Sequence, residues 1–221
     1  MADQLDFPRL REEMVARQIE ARGIRNPRVL EAMRTVPREC FVPPGLSHLA
    51  YSDGALPIDE HQTISQPYVV ALMAEAAEPR AGDRSLDVGT GSGYAAAVMA
   101  QAVGHVWSVE RIGALAEKAG RALGEAGIEN VTVRVGDGTL GWPEEAPFDS
   151  IVVAAGAPTA CKTLKHQLAP GGRLVIPVEA AGFQQLIRIR RTGEESFEQD
   201  ELGAVRFVPL IGAEGWKEGR R

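Results

Sequence analysis

The chain has 221 residues, 44% hydrophobic and 24% charged, the make-up of an ordinary soluble protein long enough to bury a full core. Its formal charge of −6 argues against a nucleic-acid partner, because gripping phosphates takes a basic face. Cys40 and Cys161 lie too far apart in sequence to suggest a secreted disulfide framework, and no apolar stretch approaches the length of a membrane span. Met1 to Arg11 is polar and lacks the apolar centre of a signal peptide, so a cytoplasmic protein is expected.

The chain opens with helical spacing. Leu10, Met14, Val15, Gln18 and Ile19 recur on one face until Gly23 stops the run. Asn26-Pro27 then reads as a cap and first helical residue, with Val29, Leu30 and Met33 turned inward. From Val36 to Gln62 the periodicity fades among Pro37, Pro43, Pro44 and Pro57, predicting a long irregular segment wrapped around the main body. A helix over 66–78 follows, ended by Pro79 and Gly82. Beyond it strand and helix alternate. Strands are predicted at 84–88, 105–109, 131–135, 148–154, 172–178, 184–190 and 204–209, and helices at 93–102, 112–126 and 159–168.

Runs such as Ile151-Val152-Val153-Ala154 suit strands covered on both faces, the parallel α/β arrangement. Thr192-Gly193-Glu194 reads as a hairpin turn, which predicts an antiparallel edge near the C-terminus. Arg188, Arg190 and Arg191 are expected on a solvated strand face. One unit is expected over 1–221, divided into N-terminal helices and a substrate segment (1–80), a cofactor core (81–178) and C-terminal strands with a tail (179–221).

The first of those predicted strands runs into Asp87-Val88-Gly89-Thr90-Gly91-Ser92-Gly93-Tyr94. Glycine at every second place lets the backbone approach a ligand closely, and the next helix opens with unpaired N–H groups. A dinucleotide fingerprint wants its third glycine one place later, where Tyr94 stands, and no Lys-Ser/Thr follows to make a phosphate loop. A nucleoside without a pyrophosphate fits better, and S-adenosylmethionine is the first candidate. Asp87, at the end of its strand, is placed for the methionine amino group, directly or through water. Glu110 ends the second strand about twenty residues on, where a carboxylate can accept both ribose hydroxyls. Asp137 in Gly136-Asp137-Gly138 is placed for the adenine amino group. Each has a plainer reading: the glycines as a tight turn, Glu110 as a helix cap, Asp137 as the organiser of its own turn. A nicotinamide dehydrogenase is the competing enzyme class, weakened by the missing glycine.

Just before the 66–78 helix stands His61-Gln62-Thr63-Ile64-Ser65-Gln66-Pro67. Hydroxyls beside a helix N-terminus would hold a carboxylate, although Ser65 could equally cap the helix. His48, His61, His105 and His166 show no metal-ligand spacing, so no metal is expected.

The Thr63-Ile64-Ser65-Gln66-Pro67 block, with Val36-Pro37-Arg38-Glu39, Phe41-Val42-Pro43, Leu56-Pro57-Ile58, the glycine loop, Pro170-Gly171-Gly172-Arg173-Leu174-Val175-Ile176-Pro177, Val205-Arg206-Phe207-Val208-Pro209-Leu210 and Gly215-Trp216, resembles the protein-L-isoaspartate O-methyltransferase family over nearly the whole chain. The resemblance implies a Rossmann-like, seven-stranded S-adenosylmethionine-dependent fold with an N-terminal helical extension and rearranged last strands. It implies Ser65 as the active-site hydroxyl, with Thr63, Ile64, Gln66 and Val208 on the substrate. It assigns Asp87, Gly89, Thr90, Gly91, Ser92, Gly93, Glu110, Asp137 and Gly138 to the cofactor, which leaves as S-adenosyl-L-homocysteine. The implied substrates are isoaspartyl-containing proteins and peptides, whose methyl esters return toward aspartate through a succinimide. Such an acceptor is already ionised near neutral pH, consistent with the lack of a recognisable His–Asp or Cys–His set. A monomer is expected. The family has glycines where Asp59 and His61 stand, so the geometry of that loop is in question. Other carboxylate or small-molecule methyltransferases, and a non-catalytic binding module on the same fold, are the alternatives.

Overall fold

The computed structural model describes residues 5–219; the reading of the two chain ends falls partly outside them. Helix α1 (Phe7–Met14) is capped by Asp6, whose side chain accepts from the Arg9 N–H at 3.1 Å. It continues through a π turn (Val15–Ile19) and a 3-10 turn (Glu20–Arg22) to Gly23, whose φ of 103° ends the run. Asn26 caps α2 (Pro27–Thr35) by accepting from Arg28 and Val29, and Val29, Leu30, Ala32 and Met33 are buried. This is the arrangement the Asn-Pro pair predicts.

The irregular segment holds 3-10 turns at Arg38–Phe41 and Pro44–Leu49, then a small hairpin that periodicity could not reveal. Its strands, β1 (Leu56–Pro57) and β2 (Thr63–Ile64), are two residues each and antiparallel. At the tip, Asp59 accepts from the Gln62 N–H, and Glu60 and His61 take φ of 57° and 56°. The left-handed backbone therefore falls on His61 and its neighbour Glu60, not on Asp59. Lys118 anchors the tip through an ion pair with Asp59 at 2.5 Å.

Helix α3 (Pro67–Ala76) leads to the main sheet. In chain order come β3 (Arg84–Val88), α4 (Tyr94–Ala102), β4 (His105–Glu110), α5 (Gly113–Glu125), β5 (Val131–Val135), β6 (Phe148–Val153), α6 (Lys162–His166), β7 (Leu168–Ala180), β8 (Phe183–Arg191) and β9 (Phe197–Val205). The sheet runs β5-β4-β3-β6-β7-β8-β9. The first five strands of that order are parallel, and β8 and β9 complete it in antiparallel pairing.

Two predicted spans need correction. The last strand covers Phe197–Val205 rather than 204–209, because its outer face is a run of polar, exposed side chains that hides the strand from any hydrophobic pattern. The 206–211 stretch instead follows the last strand as a loop, pairing by an isolated bridge between Pro209 and Gly156 in the loop after β6. The helix expected at 159–168 is shorter, Lys162–His166. Arg188 and Arg190 do not form a solvated face: both bind Glu78, at 2.8 and 2.6 Å, and Arg188 also binds Asp200 at 2.6 Å.

Strand alternation sorts the core. Leu86, Val88, Trp107 and Val109 pack with Phe148, Ile151 and Leu164 of α6 on one side of the sheet. The other side meets α2, α3 and α4 through residues such as Met33, Val70, Ala97 and Val106. On β3 and β4 most of the intervening positions are polar, and Ser85, Asp87, Ser108 and Glu110 are all buried. Phe148 is fully buried with its ring 5.8 Å from that of Trp107. Phe148→Ala is expected to destabilise the fold by about 3–5 kcal/mol, read from the denaturant midpoint. A loss under about 1 kcal/mol would contradict this packing.

Candidate functional site

Parallel strands end together, so β3, β4 and β6 deliver their following loops to one edge of the sheet. Gly89, Gly91 and Gly93 have φ of 90°, 53° and 91°, values that only glycine adopts without strain. Gly93 also lies against α5, where an added Cβ would stand 3.3 Å from the Ala119 Cβ. Ser92 accepts from the Tyr94 N–H at 3.3 Å at the start of α4. The loop borders a cleft that opens to solvent.

Glu110 faces this cleft and is 5% exposed. One oxygen accepts from the Gly91 N–H and the other from the Ile112 N–H, each at 2.9 Å. The carboxylate thus joins the glycine loop to the approach of α5. Each oxygen keeps a second lone pair for a ligand hydroxyl.

Beneath the loop, the pairing of β3 with β4 sets Asp87 opposite Ser108. Ser108 donates to Asp87 Oδ2 at 2.6 Å and shares a 2.5 Å hydrogen bond with the Thr90 hydroxyl. Asp87 is 1% exposed and its Oδ1 has no hydrogen-bond partner. Burial pushes its carboxyl up to about 6; the Ser108 hydrogen bond opposes the shift and the nearby Glu110 charge adds to it.

The hairpin brings its second strand to the same cleft. Thr63, Ile64 and Ser65 line the cleft with Gly89, Thr90, Gly91, Ser92, Glu110, Gly138 and Val208. Gln66 stands at the N-terminus of α3 and no side chain caps that helix, so Ser65 is not its cap. Among the described residues the Ser65 hydroxyl has no hydrogen-bond partner. Thr63, Ser65 and Gln66 also border a second groove with Ala55, Val69 and residues 204–207.

Three expected residues stand back from the cleft. Asp87 and Gly93 support the loop from below and from the side, as described. Asp137 organises its own turn: Oδ1 accepts from the Thr139 N–H at 2.9 Å and hydroxyl at 2.7 Å, and Oδ2 from the Ala213 N–H at 2.7 Å. Its neighbour Gly138 does reach the cleft. An added Cβ there would come within 2.5 Å of Val88 Cγ1, so the turn can lie on the strand only without a side chain. Among the described residues no group of three or more His, Cys, Asp or Glu side chains could hold a metal.

A family model for protein-L-isoaspartate(D-aspartate) O-methyltransferase matches residues 9–215. The chain belongs to this family. It is 59% identical over 207 residues to protein-L-isoaspartate O-methyltransferase 2 of Pelobacter propionicus, covering 93% of this chain and 92% of that one. A solved protein-L-isoaspartate O-methyltransferase superposes with TM-score 0.83 at 31% identity, over 93% of this chain and 67% of that one. A second, from Plasmodium falciparum and in complex with S-adenosyl-L-homocysteine, gives TM-score 0.79 at 26% identity, over 94% and 99%.

Two residues of this methyltransferase-family site escape sequence reading. Ser108 looks like any strand serine until pairing sets it against Asp87. Arg38 looks like a surface cation, yet it is fully buried and donates to the Ser65 backbone carbonyl at 2.8 Å.

The Asp87 shift fixes a sign. Between the unfolded value near 4 and about 6, the folded chain holds the Asp87 proton more tightly than the unfolded chain does. Its contribution to stability is therefore full below about pH 4 and is lost as the pH rises through 6. In the ligand-free protein, Asp87→Asn should gain on wild type by up to about 3 kcal/mol between pH 4 and 7. Urea midpoints across that range check this, and parallel pH profiles for the two proteins would contradict it.

Proposed function

We propose that this chain transfers the methyl group of S-adenosylmethionine to the free carboxylate of L-isoaspartyl residues in damaged proteins and peptides, opening their repair through a succinimide. One observation carries the reading: the Thr63–Ser65 hydroxyl strand and the Glu110-anchored glycine loop line the same cleft. Family membership supports it.

The cofactor site fits this donor. The glycine loop admits close approach, Glu110 retains lone pairs for ribose hydroxyls, and the unpartnered Asp87 Oδ1 calls for a donor, such as an ammonium group or an ordered water. In this reading the adenine end lies toward the Asp137–Gly138 turn, with Gly138 against the cleft. When bound, S-adenosylmethionine supplies an electrophilic methyl on a positively charged sulfur.

The chain's own work is alignment. The acceptor carboxylate is ionised near neutral pH, so no side chain has to remove a proton. Ser65 orients it by donating a hydrogen bond, with Thr63 beside it and Ile64 and Val208 shaping the wall. Gln66, held by its bond to Asp53 Oδ1 at 2.6 Å, faces the adjoining groove where flanking peptide residues would run. Enclosure limits water and fixes the line of attack.

We read the enzyme as cytoplasmic and monomeric. No described helix is long and apolar enough to cross a membrane, and the large apolar side chains exposed among the described residues are few: Leu5, Val135, Leu140 and Phe183.

Labelled S-adenosylmethionine offered with paired peptides tests the reading: base-labile label should enter the L-isoaspartyl peptide and not its L-aspartyl twin. Label in both peptides, or in neither, rejects it. Ser65→Ala should lower kcat/KM roughly 10- to 100-fold, the worth of a hydrogen bond to a charged group, with cofactor affinity nearly unchanged. Full turnover in that variant would remove Ser65 from the reaction. Glu110→Ala should weaken S-adenosylhomocysteine binding by about tenfold or more in calorimetry, and an unaltered Kd would refute its ribose role.

A further inference from the structure

Arg38 is the largest fully buried side chain of the described chain, and among the described residues it makes no salt bridge. Its Nε donates to the Ala50 carbonyl and its second terminal nitrogen to the Ser65 carbonyl, both at 2.8 Å. The remaining terminal nitrogen is buried with no partner in good hydrogen-bond geometry, and the Tyr94 side chain is the polar group beside the guanidinium. The guanidinium carbon stands 4.6 Å from the centre of the Tyr94 ring, whose negative face partly screens the charge. Burial pulls the guanidinium pKa below its ordinary value, with Tyr94 and Tyr51 opposing the shift. A cation removed from water in this way is costly unless an anion compensates it.

Two of the groups that Arg38 touches, Ser65 and Tyr94, line the cleft. The anion missing from the folded chain is therefore one that arrives there. We propose that Arg38 is a positioning and specificity residue: its unpaired charge, held behind the Ser65 backbone, selects an ionised carboxylate at the Ser65 hydroxyl over an uncharged group of the same shape. This inference rests on the carboxyl-methylation reading above.

Holding the cation one residue back has a chemical consequence. A guanidinium bonded directly to both acceptor oxygens would draw away the electron pair that must attack. Acting through the Ser65 peptide group, Arg38 favours the anion while leaving its oxygens free. Because acceptor and donor charges neutralise during transfer, this attraction is strongest before reaction and is felt in binding more than in turnover.

The test uses an isoaspartyl peptide and the same peptide with that carboxylate converted to a primary carboxamide, both titrated as competitors with S-adenosylhomocysteine present. Wild-type turnover of the isoaspartyl peptide is measured first. Its absence overturns this inference together with the function it rests on, whereas turnover without a preference for carboxylate over carboxamide overturns this inference alone. With the preference present, Arg38→Met should abolish most of it and raise KM by about tenfold or more, while kcat falls by less than about threefold. Arg38→Lys, which keeps the charge, should restore most of the preference. An Arg38→Met enzyme that keeps the preference, or loses kcat with KM unchanged, shows a purely structural staple and overturns the proposal. If Arg38→Met does not fold, Arg38→Lys decides: a retained preference supports the charge, and a lost preference in a folded enzyme refutes it.

Discussion

The Glu110 carboxylate holds the site together. Its oxygens take the N–H groups of Gly91 and Ile112, one from the loop after β3 and one from the approach to α5. Both segments carry backbone donors that strand and helix pairing leave over, and a buried carboxylate is a strong acceptor for them. The bonds give the glycine loop a fixed shape despite three residues with wide conformational freedom. They also set a negative charge at the cleft wall before any ligand arrives.

Around that anchor the polar groups fall into two sets with different tasks. Asp87, Ser108 and Thr90 form a buried chain beneath the loop, one oxygen short of complete pairing. Arg38 lies behind Ser65 with its own unmatched donor. A folded chain rarely leaves such groups unsatisfied in its interior, and here both lie behind residues that line one cleft, Thr90 for Asp87 and Ser65 for Arg38. The pattern suits the proposed reaction between a cationic donor and an anionic acceptor, with Asp87 and Glu110 on the donor's side and Arg38 behind the acceptor's hydroxyl.

The glycine loop and the acid that anchors it are legible in the sequence because their geometry is local. A strand, alternating glycines and an acid at the end of the next strand determine the Gly89–Gly93 loop and Glu110 almost without tertiary information. Asp137 was ambiguous for a physical reason. An aspartate before glycine can face a ligand or accept from its own turn, and only the fold brings Ala213 and Thr139 to its oxygens. The β1–β2 hairpin was hidden because two-residue strands have no period and its tip uses Glu60 and His61 where glycines would mark a turn. Strand β9 was displaced in the reading because an edge strand with a polar face has little hydrophobic signal. Arg38 belongs to a motif that carries the family resemblance, but its burial is invisible in the sequence, since it depends on Ala50, Ser65 and Tyr94 converging from distant parts of the chain.

A crystal structure of the enzyme with S-adenosylhomocysteine and an L-isoaspartyl peptide bound together measures the central geometry directly. The account predicts the ribose on Glu110, the free carboxylate accepting from Ser65, and one of its oxygens facing the sulfur along the line that the methyl group would occupy. A peptide whose carboxylate points away from Ser65, or a nucleoside seated elsewhere than the Gly89–Gly93 loop, would contradict it.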